Sequence, residues 1–352
     1  MKWPVSLDPF VDEQFYSIFQ ESPFVLYDVG ARGGVYPLFK NINEAKMLKI
    51  YGFEPNEQAY AELQKKYRNN KNIHLIDKAA SDHAGSATFH LMGGSSSLLN
   101  YESESPEITT VECVRLDDLV EHKETPPPSF LKIDVEGAEL KVLKGANNLL
   151  QKDVMGITCE ISFWKGHEGR CFFSEIDSHL TDLGFILFDV TINRSQYSGI
   201  GGKKSKVRTG DALYLRNFDY YYKQHKADGM DSTQLKTQLL KLIAICYRFY
   251  YFDYVYELAH FGEQNNILNE SERNTIVNSI REISDVSFAI PEFPGKRHLA
   301  FVIDFLSYIL HKHAKKGTPD LFNGLGNRRM CLIKTRKKIP QISNPVFPPT
   351  AD

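Results

Sequence analysis

Apolar positions along the first two-thirds of the chain fall into short β-forming runs separated by polar helical stretches. Phe24 to Val29 predicts a first strand, Gly30 to Gly34 turns the chain, and residues 35–47 follow as a helix. Leu48 to Phe53 predicts a second strand that ends in Glu54, and Asn56 caps a helix running to Asn69. Ile73 to Ala80 reads as a third strand. The β-rich segments Ala87 to Met92 and Thr109 to Leu116 then flank a polar loop, Gly93 to Glu107, and a triple proline at Pro126 to Pro128 closes the excursion. Phe130 to Ile133 predicts a fourth strand, Ala138 to Leu150 a helix, Val154 to Ile161 a fifth strand, and Ser174 to Leu183 a further helix. Phe185 to Val190 and Ala212 to Arg216 read as closing strands around a Gly, Lys and Ser-rich loop, Thr191 to Asp211. Strands alternating with helices predict an α/β fold, a doubly wound Rossmann-like sheet.

Past Phe218 the period changes. Leu235, Leu239, Leu242, Ile243, Cys246 and Phe249, then Ile276, Ile280 and Ile283, recur at helical spacing and predict a C-terminal helical domain. The expected organisation is a sheet domain over residues 1–217, a helical unit over 218–339 and a disordered tail over 340–352. A chain of 352 residues suits one large unit and one smaller one. Lys241, Arg248, Asp253 and Asp304 interrupt the most apolar stretches, so no run reaches the roughly 18 residues of a spanning helix. Asp8, Asp12 and Glu13 follow the N-terminus before any leader-like apolar stretch, and the expected location is cytoplasmic. Five cysteines without C-x-x-C spacing argue against a disulfide framework and a structural zinc site.

The net charge of −2 hides an asymmetry: residues 1–216 carry 24 Lys and Arg against 30 Asp and Glu, and the remainder 18 against 14. Residues 311–338 hold nine basic side chains against one Asp. That stretch is a solvated helix face or a contact for an anionic acceptor or membrane surface. Nucleic acid is not expected, because no binding module accompanies the charge. The tyrosines at 220–222 and 247–256 read as helix packing or a subunit interface, which leaves a homo-oligomer open.

The strongest chemical signal is Asp28-Val29-Gly30-Ala31-Arg32-Gly33-Gly34, a glycine loop directly after a strand. Glu54 ends the next strand, where a carboxylate accepts hydrogen bonds from ribose hydroxyls. Taken together these point to a nucleotide-like cofactor, although each alone is an ordinary turn or strand end. A pyrophosphate near Asp28 would meet repulsion of about 3 kcal/mol per charge pair at an effective dielectric of about 20 and about 5 Å. That disfavours NAD. S-adenosyl-L-methionine instead offers an ammonium and a sulfonium, which a carboxylate attracts. Asp134 ends the fourth strand in Leu131-Lys132-Ile133-Asp134-Val135-Glu136-Gly137 and is well placed to face such a cofactor; Glu136 reads equally as a helix cap.

These residues resemble the FkbM-type S-adenosylmethionine-dependent methyltransferases over roughly Phe24 to Phe188. Asp28 to Ala31 with Gly34 and Tyr36 is similar to a first motif of that family, and Gly52-Phe53-Glu54-Pro55 to a second. Ala79-Ala80-Ser81-Asp82 with Gly85 resembles the segment bordering the adenine, and Ser95-Ser96-Ser97-Leu98 a serine-bearing loop. Val114 to Leu119 and Lys132 to Glu139 with Leu143 to Ala146 complete the resemblance, while Arg32-Gly33 departs from it. The resemblance implies a class I methyltransferase sheet, with Asp28, Gly30, Ala31, Gly34, Glu54, Ala80, Ser81 and Asp134 at the cofactor. It also implies O-methylation of a sugar, glycan or natural-product hydroxyl.

For the hydroxyl proton, His167 after the fifth strand is the first candidate base and Glu160 at its end the second. His167 also reads as a plain exposed loop histidine, and Glu160 as a buried paired carboxylate. Ser96, Ser97 and Trp164 are candidates to line the acceptor pocket, and no metal is expected. A non-catalytic cofactor-binding scaffold and an NAD-dependent oxidoreductase are the competing classes.

Overall fold

The computed structural model describes residues 19, 21–36, 48–100, 107–165, 168–194 and 206–285. Its strands are β1 (Phe24–Val29), β2 (Leu48–Phe53), β3 (Ile73–Ile76), β4 (Ala79–Ala80), β5 (Gly85–Leu91), β6 (Glu107–Val114), β7 (Phe130–Ile133), β8 (Gly156–Ser162), β9 (Phe185–Val190), β10 (Asn193–Arg194) and β11 (Val207–Arg216). The helices are α1 (Glu57–Tyr67), α2 (Leu116–Glu121), α3 (Glu139–Lys144), α4 (Asn147–Lys152), α5 (Phe173–Asp182), α6 (Phe218–Ala227), α7 (Ser232–Arg248), α8 (Phe252–Gln264) and α9 (Glu270–Asp285). The main sheet runs β3-β2-β1-β7-β8-β11, with β9 and β10 both paired to the far side of β11. β3, β2, β1, β7 and β8 are parallel, and β11 is antiparallel to its neighbours. β4, β6 and β5 form a separate small sheet.

Two predicted elements divide. The strand expected over Ile73 to Ala80 splits, because its first half pairs with β2 while Ala79 and Ala80 pair with β6 in the other sheet. The helix expected over Ala138 to Leu150 breaks at Gly145, where a Cβ would lie 1.9 Å from the Ser81 carbonyl oxygen. Asp117 caps the restart: its carboxylate accepts the backbone N–H groups of Asn148 and Leu149 at 3.1 Å. The closing strand is longer than Ala212 to Arg216, since β11 starts at Val207 and pairs with β10 inside the expected loop. The helix expected at 35–47, apart from its first two residues, lies outside the described residues, as do the basic stretch 311–338 and the tail.

Alternate side chains of the strands feed two cores. Val25, Tyr27, Leu131, Ile133, Ile157 and Cys159 pack against Val142, Leu143, Leu149, Ile176 and Leu180 of α3, α4 and α5. Phe24, Leu26, Ile50, Phe130, Leu213 and Leu215 pack against Phe218, Leu239, Ile243, Phe249 and Leu258 from the C-terminal helices. The Phe130 and Phe249 rings stack with centroids 5.7 Å apart. The helices after Phe218 therefore share a core with one face of the sheet.

Arg216 ends β11 as the largest fully buried side chain. Its guanidinium donates to the carbonyls of Leu150, Val154 (2.8 Å) and Leu183 (2.6 Å), and lies 3.7 Å above the Phe185 ring. It ties the chain after α4 and α5 to the sheet. Tyr254 donates to the Arg216 carbonyl at 2.7 Å and Tyr221 to that of Lys152 at 2.7 Å, which fastens the helical layer beneath. Among the described residues, no helix is long and apolar enough to cross a membrane.

Candidate active site

The face that is apolar at the amino halves of the strands turns polar at their carboxyl ends. Register places Asp28 beside Lys132, Lys132 beside Thr158, and Glu160 beside Asp211, so these side chains share one face. Asp28 is fully buried. One of its oxygens accepts the Tyr36 backbone N–H at 2.6 Å, and the other lies 3.2 Å from Lys132 Nζ. Lys132 also donates to the Gly30 carbonyl at 2.9 Å and sits 3.6 Å from Asp134. Burial pushes the Asp28 carboxyl up, with Lys132 opposing. Burial works against the Lys132 ammonium, but Asp28 and Asp134 outweigh it and hold it above the ordinary lysine value. The Asp28 charge is thus met within the protein, and the more open carboxylate is Asp134, whose side chain is 45% exposed.

The glycine loop is built by close approach as much as by turning. Gly30 has φ +84°, and a Cβ there would lie 1.9 Å from the Asp134 carbonyl oxygen, so only glycine lets the exits of β1 and β7 pass. The backbone N–H groups of Gly30 and buried Ala31 both donate to the Phe53 carbonyl, at 3.1 and 3.0 Å. Gly34 packs against Lys66 and Tyr67, whereas the space above Gly33 is open. Glu54 is buried at the end of β2; one oxygen accepts the Asn56 N–H at 2.9 Å, and burial pushes its carboxyl up.

Arg32 does not stay over its own loop. It donates to the Gly93 carbonyl and reaches Ser96 Oγ at 3.3 Å, bridging to the short turn Gly93–Ser95. Ser96 Oγ accepts the Met92 N–H at 3.0 Å and donates to Gly93 O at 2.9 Å. Ser97 is buried, with its hydroxyl directed at the carbonyls of Val135 and Glu136, both at 3.2 Å. The serine loop is a strut between the glycine loop and the chain leaving β7. Ala80 and Ser81 are buried where β4 ends, with Ser81 N–H donating to Val114 O at 2.9 Å and its hydroxyl to Asp82 at 3.1 Å.

Beyond β7 the chain passes through Glu136 (φ +56°) and Gly137 (φ +105°). Buried Glu139 accepts the N–H groups of Val135 and Gly137 at 3.1 and 2.8 Å and so fixes that turn. Arg170 lies over Gly137, its Nη2 3.4 Å from Glu160 and 3.7 Å from Glu136. Burial pushes Glu160 up to about 9, helped by Glu139, Asp134 and Glu136 and opposed by Arg170. Burial and Asp134 push Glu136 to about 7. Trp164, 42% exposed, carries the Arg208 guanidinium 4.1 Å from its ring. His167 lies outside the described residues. Among the described residues, no three metal-ligating side chains converge on one point. Sequence spacing does not single out Lys132, Arg170 or Asp211 as site residues; the inward register of Lys132 is a usable signal, while nothing local marks Arg170.

These carboxyls make stability pH-dependent. Glu160 and Glu136 hold protons in the folded state at pH values where the unfolded chain, with an ordinary value of 4.5, has released them. The folded form therefore binds more protons, and stability falls as pH rises from about 5 through 9. The melting temperature of the wild type should drop over that interval, and Glu160→Gln should flatten the slope above pH 7. Identical slopes would refute the assignment.

The strand order, the antiparallel β11 between β8 and β9, and the polar side chains Asp28, Glu54 and Asp134 at the ends of β1, β2 and β7 define a class I methyltransferase fold. Residues 28–187 match the family model of the methyltransferase FkbM domain. The hexuronic acid methyltransferase AglP of Haloferax volcanii is 30% identical over 132 residues, 37% of this chain and 53% of AglP. The chain thus spans about half the length of that curated relative. Among solved structures, the FkbM methyltransferase of Methylobacillus flagellatus KT aligns with a TM-score of 0.35 and 13% identity, over 55% of this chain and 44% of that one. Fibrillarin of Aeropyrum pernix, in complex with S-adenosyl-L-methionine, aligns with a TM-score of 0.31 and 14% identity, over 54% and 66%.

Proposed function

We propose that the chain is an S-adenosyl-L-methionine-dependent O-methyltransferase acting on a hydroxyl of a sugar-type acceptor. The observation that carries this reading is the group of carboxylates at the strand ends, within a stretch that matches the FkbM domain model. Its donor set fits the cofactor: Glu54 suits ribose hydroxyls, Asp134 suits an ammonium, and the open backbone at Gly33 leaves room above the loop. When bound, the cofactor supplies a sulfonium methyl whose bond to sulfur breaks, leaving its electron pair there, as the acceptor oxygen bonds the carbon.

The chain's own contribution is orientation and proton transfer. Holding the acceptor oxygen in line is worth roughly 7 to 11 kcal/mol of the barrier. Glu160 in its ionised form, favoured as pH rises towards 9, is the described side chain placed to take the hydroxyl proton, with His167 the alternative. Trp164 offers an aromatic face to a sugar ring, and Arg208 beside it offers a cation to an acidic one. The hexuronic acid named for AglP is consistent with such an acceptor. Ser96 would contribute through its turn rather than through a free hydroxyl.

Calorimetry with S-adenosylhomocysteine and NAD side by side tests the cofactor assignment. The expected outcome is saturable binding of S-adenosylhomocysteine and none of NAD. The reverse pattern would favour an oxidoreductase. Mass analysis of glycans from cells with and without the active protein would then identify the acceptor.

A further inference from the structure

We propose that Arg170 is the positioning residue of the acceptor side of the cleft, holding Glu160 and Glu136 and setting which of them takes the hydroxyl proton. This rests on the methyltransferase reading above. Arg170 is 9% exposed, its guanidinium lies against two carboxylates, and both of these partners stand towards the carboxyl ends of β7 and β8.

The segment carrying Arg170 is strapped to the turn it serves. Cys171 donates its N–H to the Gly137 carbonyl at 3.2 Å, and its thiol points at Gly137 O (3.3 Å) and Glu139 (3.4 Å). The side chain then crosses directly over Gly137, where a Cβ would come 3.0 Å from Arg170 Cγ and 3.1 Å from Nε. The glycine therefore serves two ends: it permits φ +105°, and it leaves the space through which the guanidinium reaches both carboxylates.

The charge balance shows why one cation decides the outcome. Glu160 faces Glu139 on α3, Asp134 and Glu136 on the chain leaving β7, and Asp211 across the ladder on β11. Against them stand Arg170 and, deeper, Lys132, which is already shared between Asp28 and Asp134. Two carboxylates across one guanidinium carry a net negative charge, and burial disfavours it, so the pair retains a proton. Glu160 sits in the stronger negative field and holds the retained proton; it takes the acceptor's hydroxyl proton on its carboxylate oxygen only in the form that has first released its own proton to solvent, whereas Glu136 ionises at lower pH.

The test is a carbon-13 NMR titration of protein labelled at the glutamate carboxyl carbon, in which Glu160→Gln and Glu136→Gln assign the two signals. In Arg170→Met the Glu160 midpoint should rise by about 1 pH unit or more, the usual effect of losing an opposite charge at this range. Arg170→Lys should restore part of that shift. Glu136→Gln should lower the Glu160 midpoint, and this variant decides the matter if Arg170→Met does not fold. Glu160 and Glu136 midpoints that ignore both substitutions would overturn the proposal. S-adenosylhomocysteine calorimetry separates the two levels: absence of binding by the wild type defeats the methyltransferase reading, whereas normal binding with unmoved midpoints defeats only the role of Arg170.

Discussion

Gly30→Ala should abolish detectable S-adenosylhomocysteine binding and destabilise the fold. The added methyl would lie 1.9 Å from the Asp134 carbonyl oxygen, which cannot retreat without withdrawing β7 from β1. A left-handed backbone at a non-glycine residue costs about 1–2 kcal/mol, and forcing the neighbouring strand aside adds about 1–3 kcal/mol. Gly33→Ala is the control, because it shares the positive φ but its methyl meets open space. It should lose only the backbone component in urea denaturation. If Gly30→Ala bound the nucleoside as tightly as the wild type, the cleft would have to lie elsewhere.

Arg216→Met should cost about 3–5 kcal/mol, since it leaves three buried carbonyls without their donor. The substitution strands the carbonyls of Leu150, Val154 and Leu183, each worth about 1–3 kcal/mol when left unpaired in the interior. Relief of the guanidinium's own desolvation offsets part of this, since burial lowers its proton affinity to about 9. Arg216→Lys should rescue little, because an ammonium cannot span carbonyls arranged around a planar fork. Chemical denaturation of both variants provides the measurement, and a loss below about 1 kcal/mol would show that water replaces the guanidinium at little cost.

The parallel strands of the sheet are legible as short apolar runs, whereas β10 and the polar start of β11 are not. What sequence could not reveal was partnership. Nothing local divides Ile73 to Ala80; the break exists because β2 and β6 compete for its two halves. Gly145 likewise reads as an ordinary helix residue until the Ser81 carbonyl is found against it.

The site divides in the same way. Glu54, Asp134 and Glu160 stand at strand ends and can be found from strand boundaries alone. Asp28 reads as facing a positively charged donor, and the structure adds Lys132, brought into register from a strand far along the chain. Ser97 reads as a lining residue of the acceptor pocket because a hydroxyl can bond a polyol, and the structure directs that hydroxyl at two backbone carbonyls. Ion pairs and backbone struts are tertiary facts, and no spacing rule announces them.

The shared core beneath the sheet separates two boundaries that are easily confused. The family match ends at residue 187, but Leu26, Ile50, Phe130, Leu213 and Leu215 rest on side chains that come after Phe218. A fragment trimmed to the homologous segment would lose β11 and present a wet greasy surface to its neighbours. The portable unit of descent is thus smaller than the unit that folds, and any grafted version must bring its helical underlay with it.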